Sequence, residues 1–200
     1  MKWTVRHMRI LFDSKLSQFK TPFGTLKRQE VCTLHIMIPC SCRTTAVCLV
    51  LQAENGAELL GLHLEGPYFS AASKGAQPIG EQRIPEREDL ERILRRAKGS
   101  ILRWDAAPEL PNMELFAKVM AENGVLASLA HSAATAPEAL RAFDWGFSHV
   151  THFYNACTTF HKKNGLVYSG IVEATYLRDD VTIELIGDGR HIPRESMLLA

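Results

Sequence analysis

A chain that sets two short apolar runs on either side of one helix has little choice of topology, and residues 125–155, VLASLAHSAATAPEALRAFDWGFSHVTHFYN, form such a unit. Val125 to Ala130 reads as a strand ending at His131, and His149 to Thr151 as a second strand ending at His152. Between them Thr135 and Glu138 make a capping-box signature, and Pro137 sits where a first helical turn tolerates it. Leu140 and Phe143 give the helix an apolar face, and Gly146 stops it. Strands joined by so short a helical crossover are parallel neighbours in one sheet. Both histidines therefore stand at the same sheet edge, where parallel α/β folds keep their chemistry. A single histidine after a strand is ordinarily a hydrogen-bonded loop residue, but two at equivalent ends of consecutive strands point to a shared purpose.

The pattern continues on both sides. Leu59 to Leu64 is an apolar strand interrupted by Gly61 and His63, and it runs into the turn signal Glu65-Gly66-Pro67. After a polar loop, Ser70 to Gln82, Pro85 opens a helix whose Leu90, Ile93, Leu94 and Ala97 fall on one face, with Gly99 ending it. Ile101 to Trp104 is a short strand leading to a loop, Asp105 to Pro108. Pro111 then starts a helix carrying Leu115, Phe116, Val119 and Met120, stopped by Gly124. Beyond His152 come a loop, Asn155 to Ser169, a short helix, Ile171 to Leu177, and a weakly alternating strand, Val181 to Ile186, that ends before His191. Alternating strands and helices predict a parallel sheet, and chemistry-bearing residues after several strands predict a β/α barrel. The rival, a doubly wound sheet, lacks its glycine-rich phosphate loop.

Residues 1–52 differ. Lys2, Arg6, Arg9, Lys15, Lys20, Lys27, Arg28 and Arg43 face only Asp13 and Glu30, and no period holds for long. Strands over Val31 to Ile38 and Thr45 to Leu51 are the elements it suggests. It carries neither an RNA-binding signature nor a helix-turn-helix pattern, and the net charge of +1 favours no polyanion, so no nucleic acid is expected. No apolar run approaches the ~20 residues of a membrane span, and the amino terminus lacks a signal peptide's apolar core, which makes the cytoplasm the expected compartment. Cys32, Cys40, Cys42 and Cys48 match no zinc-finger spacing, and Cys157 stands apart.

Glu65, His131 and His152 at one edge offer a carboxylate and two imidazoles, a set suited to one divalent ion with a position left open for water. Zinc fits best, and iron, cobalt or manganese accept the same ligands. The chemistry implied is hydrolysis. His191, one strand further on, is placed to donate to an oxygen that gains charge. His63 shares a strand face with Glu65 and is read as a support or packing residue rather than a second ligand. His149 and His161 read as strand-start and loop residues, and Asp105 or Asp188 is the nearest carboxylate for a general base.

GLHLEGPYFSAASKGAQ at 61–77, LAHSAAT at 129–135, HVTHFYNA at 149–156 and IGDGRHI at 186–192, in that order, resemble the N-acetylglucosamine-6-phosphate deacetylases of the amidohydrolase superfamily. The resemblance covers about residues 55–200. It implies an α/β fold, a partial (β/α)8 TIM-like barrel of the metal-dependent hydrolase type truncated at both ends, over residues 53–200, behind an atypical lead-in of residues 1–52. It also implies metal-assisted removal of acetate from a small amino-sugar phosphate, Glu65, His131 and His152 as ligands, and His191 near the scissile amide. Ala76, Gln77, Asn155 and Ala156 would line the substrate site, and a homodimer is the common state of such proteins. Lys163, with Lys162, stands in the loop where the family often has a phosphate-binding arginine; an ammonium keeps the charge and loses the bidentate fork. Gln77 stands where many relatives have histidine, and Cys157 where methionine is usual. The family's catalytic aspartate falls past Ala200, so a fragment, or a remnant that binds without turning over, is the expectation for the chain as it stands. Residues 1–52 match none of the family's upstream structure, which points to an unrelated or out-of-frame lead-in. Another amidohydrolase acting on a cyclic amide is disfavoured by the absence of a His-x-His pair upstream.

Overall fold

A computed structural model describes residues 58–200 apart from 76, 78, 79 and 81, together with the backbone of three upstream strands, Lys20–Thr21 (β1), Gly24–Thr25 (β2) and Val31–Met37 (β3). The segment 45–51, expected as a strand, lies outside the described residues, as does Ala76. The rest runs Glu58–Tyr68 (β4), Arg87–Ala97 (α1), Ile101–Ala106 (β5), Met113–Glu122 (α2), Leu126–Leu129 (β6), Ala136–Trp145 (α3), His149–Val150 (β7), a hairpin of His161–Lys163 (β8) and Leu166–Tyr168 (β9), Ile171–Tyr176 (α4), Thr182–Ile183 (β10) and Arg194–Leu199 (α5).

Six strands form one parallel sheet in the order β10-β7-β6-β5-β4-β3, while β1 with β2 and β8 with β9 make antiparallel pairs. The sheet grows in chain order with no reversal, unlike a doubly wound sheet, whose order reverses at a switch point. Helices α1, α2, α3 and α4 touch one another in the same succession. That follows from right-handed crossovers, which set each helix on the same face of the sheet.

The two faces of the sheet differ sharply. Leu64, Trp104, Ala127, Leu129 and Val150 belong to the buried apolar core. The residues alternating with them, His63 and Glu65 on β4, Arg103 and Asp105 on β5, Ser128 on β6 and His149 on β7, point the other way because successive side chains of a strand face opposite sides. Register lines up Glu65, Asp105, Ser128, His149 and Thr182 as one polar row across five strands.

The observed elements correct the expected ones in four places. Glu65-Gly66-Pro67 lies inside β4 rather than after it; Gly66 takes φ 88°, and the register with β5 shifts between Glu65 and Tyr68, so the turn signal marks a bulge. Asp105 is a strand residue of β5. The first long helix ends on Lys98 at φ 49°, ahead of Gly99. The loop after His152 contains the β8–β9 hairpin, turned by Asn164 and Gly165, both at positive φ as a two-residue type I′ turn needs. At α3, Glu138 accepts from both the N–H and the hydroxyl of Thr135, each at 2.7 Å, so the capping signature is built as read.

Candidate metal centre

Three of four neighbouring strands, β4, β6 and β7, deliver the candidate ligands. Glu65 sits near the end of β4; His131 and His152 each stand two residues past the ends of β6 and β7. Both histidines hold left-handed backbone, φ 48° and 38°, a conformation that costs a non-glycine residue about 1–2 kcal/mol and collects at functional sites. That twist turns each ring back over the sheet edge. His131 Nε2 lies 2.5 Å from Glu65 Oε1, His152 Nε2 lies 3.3 Å from the same oxygen, and the two Nε2 atoms are 3.2 Å apart. Among the described residues, these side chains form a set of metal-ligating atoms all within 4.8 Å of one another.

The opposite ring nitrogens decide the tautomers. His131 Nδ1 donates to the carbonyl of Ser73 and His152 Nδ1 to the carbonyl of Asn155, each at 3.0 Å. With hydrogens placed there, two neutral rings turn lone pairs at each other across 3.2 Å, which is repulsive unless a cation sits among them. Histidine ligands characteristically give their second N–H to a carbonyl in this way. Burial works against charge on His152, but Cys157 and Glu65 outweigh it and push its pKa up to about 10. Burial would likewise raise Glu65, yet its bonds from His131 and His152 hold it far below the ordinary carboxylate range.

Behind the edge lies a second buried polar group. Arg103 donates to His149 Nε2 (2.8 Å), His63 Nδ1 (2.6 Å) and Glu184 (2.8 Å). His63 Nε2 meets Asp105 Oδ2 at 2.7 Å, and Thr151 donates to Asp105 Oδ1 at 2.8 Å. Burial would raise the Asp105 carboxyl, but His63 and Arg103 outweigh it and keep it ionised. With both oxygens engaged and 1% of its surface exposed, Asp105 braces the layer under the site rather than facing it. His149, beyond its strand-start position, gives its Nδ1 hydrogen to Thr182 at 2.7 Å. Burial and the adjacent Arg103 lower its pKa to about 4.

That shift sets a pH dependence. The neutral ring contributes stability in full above the unfolded value near 6.5, and the contribution is lost as pH falls toward 4. Going from pH 7 to pH 5 should cost about 2 kcal/mol through His149. Urea melts at the two pH values, beside His149→Asn, check it; an unchanged pH slope in the variant would refute the assignment.

The other expected site residues are more scattered. Asn155 is half-buried and its carbonyl holds His152. Ala156, at φ 50°, is half-buried, and its carbonyl accepts from Ser132 N–H at 3.0 Å. Gln77 is buried. Lys163 lies on β8, its side chain outside the described residues, and Lys162 is exposed beside it. His191 is exposed, its Nδ1 donating to Asp188 Oδ2 at 2.8 Å. Asp188 is held near 2 by the backbone N–H groups of Arg190 and His191, so it orients His191. Sequence reading missed Arg103, Glu184 and Thr151. The strand alternation R-x-D at 103–105, H-x-T at 149–151 and T-x-E at 182–184 would have shown them on one face.

No family model matches the chain. It is 34% identical over 144 residues to N-acetylglucosamine-6-phosphate deacetylase of Lysinibacillus sphaericus, which covers 72% of this chain and 36% of that protein. It is 32% identical over 145 residues to N-acetylgalactosamine-6-phosphate deacetylase of Escherichia coli O157:H7, covering 72% and 37%. Among solved structures, the Pasteurella multocida N-acetylglucosamine-6-phosphate deacetylase aligns with TM-score 0.63 and 32% identity over 74% of this chain and 37% of that one. An aspartate-to-alanine mutant of the Mycobacterium smegmatis enzyme, in complex with N-acetyl-D-glucosamine-6-phosphate, aligns with TM-score 0.62 and 30% identity over 66% and 34%. The chain thus spans about a third of the length of the proteins it matches. In sequence and in fold alike, it is a relative of the N-acetylglucosamine-6-phosphate deacetylases, matched over a central portion of them.

Proposed function

We propose that the chain carries the metal-binding face of a hydrolase that removes acetate from N-acetylglucosamine 6-phosphate or a close amino-sugar phosphate. The observation that carries this is the convergence of Glu65 with two histidines whose remaining ring hydrogens are spent on carbonyls. Glu65, His131 and His152 would hold one divalent ion, zinc first among those that accept nitrogen and carboxylate ligands. When bound there, such an ion supplies Lewis-acid polarisation of the amide carbonyl and an activated water. Around it the chain's own groups orient the reaction. His191, with Asp188 fixing its tautomer, presents Nε2 to the amide oxygen as that oxygen gains charge. Lys162 and Lys163 supply positive charge for the phosphate, and Ala76, Gln77, Asn155 and Ala156 shape the sugar site. The unreversed strand order supports reading residues 53–200 as an arc of a β/α barrel, to which residues 31–37 add a strand.

A second reading, a chain that binds ion and ligand without turnover, is favoured by one observation. Both carboxylates first in line as a general base are engaged, Asp105 by His63 and Thr151, Asp188 by His191. Incubating the zinc-loaded chain with N-acetylglucosamine 6-phosphate and measuring free acetate separates the two. Turnover supports the enzyme; saturable binding of the sugar phosphate without acetate supports the binder. No effect of the sugar phosphate on the zinc-loaded chain would sink both.

A further inference from the structure

We infer that Glu109, in the loop after β5, is a positioning residue for the His131 side of the ion site, a role that rests on reading Glu65, His131 and His152 as ligands. His131 stands beyond the end of β6 at φ 48°, and such a conformation persists only where neighbours over-determine it. Glu109 supplies that constraint. Its Oε2 accepts from the Ser132 hydroxyl at 2.7 Å and its Oε1 from the Ala133 backbone N–H at 2.6 Å, gripping the two residues that follow the histidine. Bonds to an ionised carboxylate are about twice as strong as neutral ones, so this grip resists rotation of the turn.

Glu109 is itself fixed. Ala107, fully buried, donates its N–H to the carbonyl of Tyr68 at 2.7 Å, and Leu110 N–H closes back on the Ala107 carbonyl at 3.2 Å. On the other flank, Ser70 N–H donates to the His131 carbonyl at 2.8 Å. The loop after β4 therefore holds His131 itself, through Ser70 N–H and the Ser73 carbonyl, while Glu109 in the loop after β5 holds the two residues that follow it. Ser132 passes the constraint onward, its hydroxyl oxygen accepting from Ala134 N–H at 3.0 Å just before α3 begins. A carboxylate so placed acts on the angle at which His131 presents Nε2, and Glu109 touches neither ring.

The test is a cobalt(II) titration of the full 200-residue chain, followed by visible absorption, for wild type, Glu109→Gln and Ser132→Ala. Glu109→Gln, which keeps the shape and loses the charge, should weaken cobalt binding about 10–100-fold and move the visible bands. The metal-free chain should stay folded with a melting temperature lower by a few degrees. Ser132→Ala, missing one of the two bonds, should fall between. A folded Glu109→Gln chain with wild-type affinity and spectrum would overturn the inference. So would a Ser132→Ala chain that binds as wild type when Glu109→Gln does not fold. Wild-type chain that takes up no cobalt overturns the ligand reading and this one with it.

Discussion

Glu65→Gln should lower the affinity of the chain for a divalent cation by about 100-fold or more, given that loss of a mere supporting contact to a ligand commonly costs 10–100-fold. The substitution keeps the volume of the side chain and removes its charge. That charge does two jobs. It is the one anionic donor of the set, and it is one of the groups that offset burial to keep a cation acceptable on His152. The rings themselves should stay in place, because Ser73 and Asn155 hold them through backbone carbonyls that the substitution does not touch. Equilibrium dialysis against zinc, beside circular dichroism, measures the effect. Equal zinc uptake by a folded variant would show that the three side chains are not the site.

The second large effect belongs to the core under the site. Trp104→Ala should destabilise the chain by about 3–5 kcal/mol, a large share of the 5–15 kcal/mol typical of a folded domain. Trp104 is fully buried and packs its ring against Tyr68 and Phe116 at centroid separations of 5.7 and 5.9 Å. Its indole N–H also donates to the carbonyl of Gly66 at 2.8 Å, inside the bulge that follows Glu65. Trp104→Phe separates the two roles. It keeps most of the packing and frees the Gly66 carbonyl, costing about 1–3 kcal/mol for a buried acceptor left unpaired. It should also loosen the ion site, since the bulge carries Glu65. Thermal melts of both variants give the first comparison and zinc affinity the second. A Trp104→Ala chain within about 1 kcal/mol of wild type would contradict this packing.

Which parts of this were legible in the sequence follows from the range of the forces involved. The unit from β6 to β7 could be read because its signals are local: Thr135 and Glu138 at capping distance, Pro137 in the first turn, Gly146 at φ 112° as the stop. The bulge at Gly66 was not, since the Glu-Gly-Pro tripeptide looks the same whether a strand ends there or kinks and continues. What decides is the pairing of Tyr68 with Ala106, about 40 residues away. The hairpin signal, Asn164-Gly165, was local and went unread because its strands are only three residues each. At the site, Glu65, His131 and His152 stood out by position at strand ends. Glu109 did not, because its grip on Ser132 and Ala133 spans two strand units and has no signature in spacing.

The left-handed backbone at His131 and His152 bears on how such a sequence can drift. Glycine at either position would relieve about 1 kcal/mol or more of conformational cost, and asparagine would tolerate the twist nearly as well. Ordinary side chains, above all β-branched ones, would not. The relief glycine would bring is offset by about 1–3 kcal/mol for each buried acceptor, such as the Ser73 and Asn155 carbonyls, that would lose its ring donor. The backbone at these two positions works against imidazole, and the bonds of the rings to Ser73, Asn155 and Glu65 work for it, so each histidine is held in place by its partners and not by its local conformation.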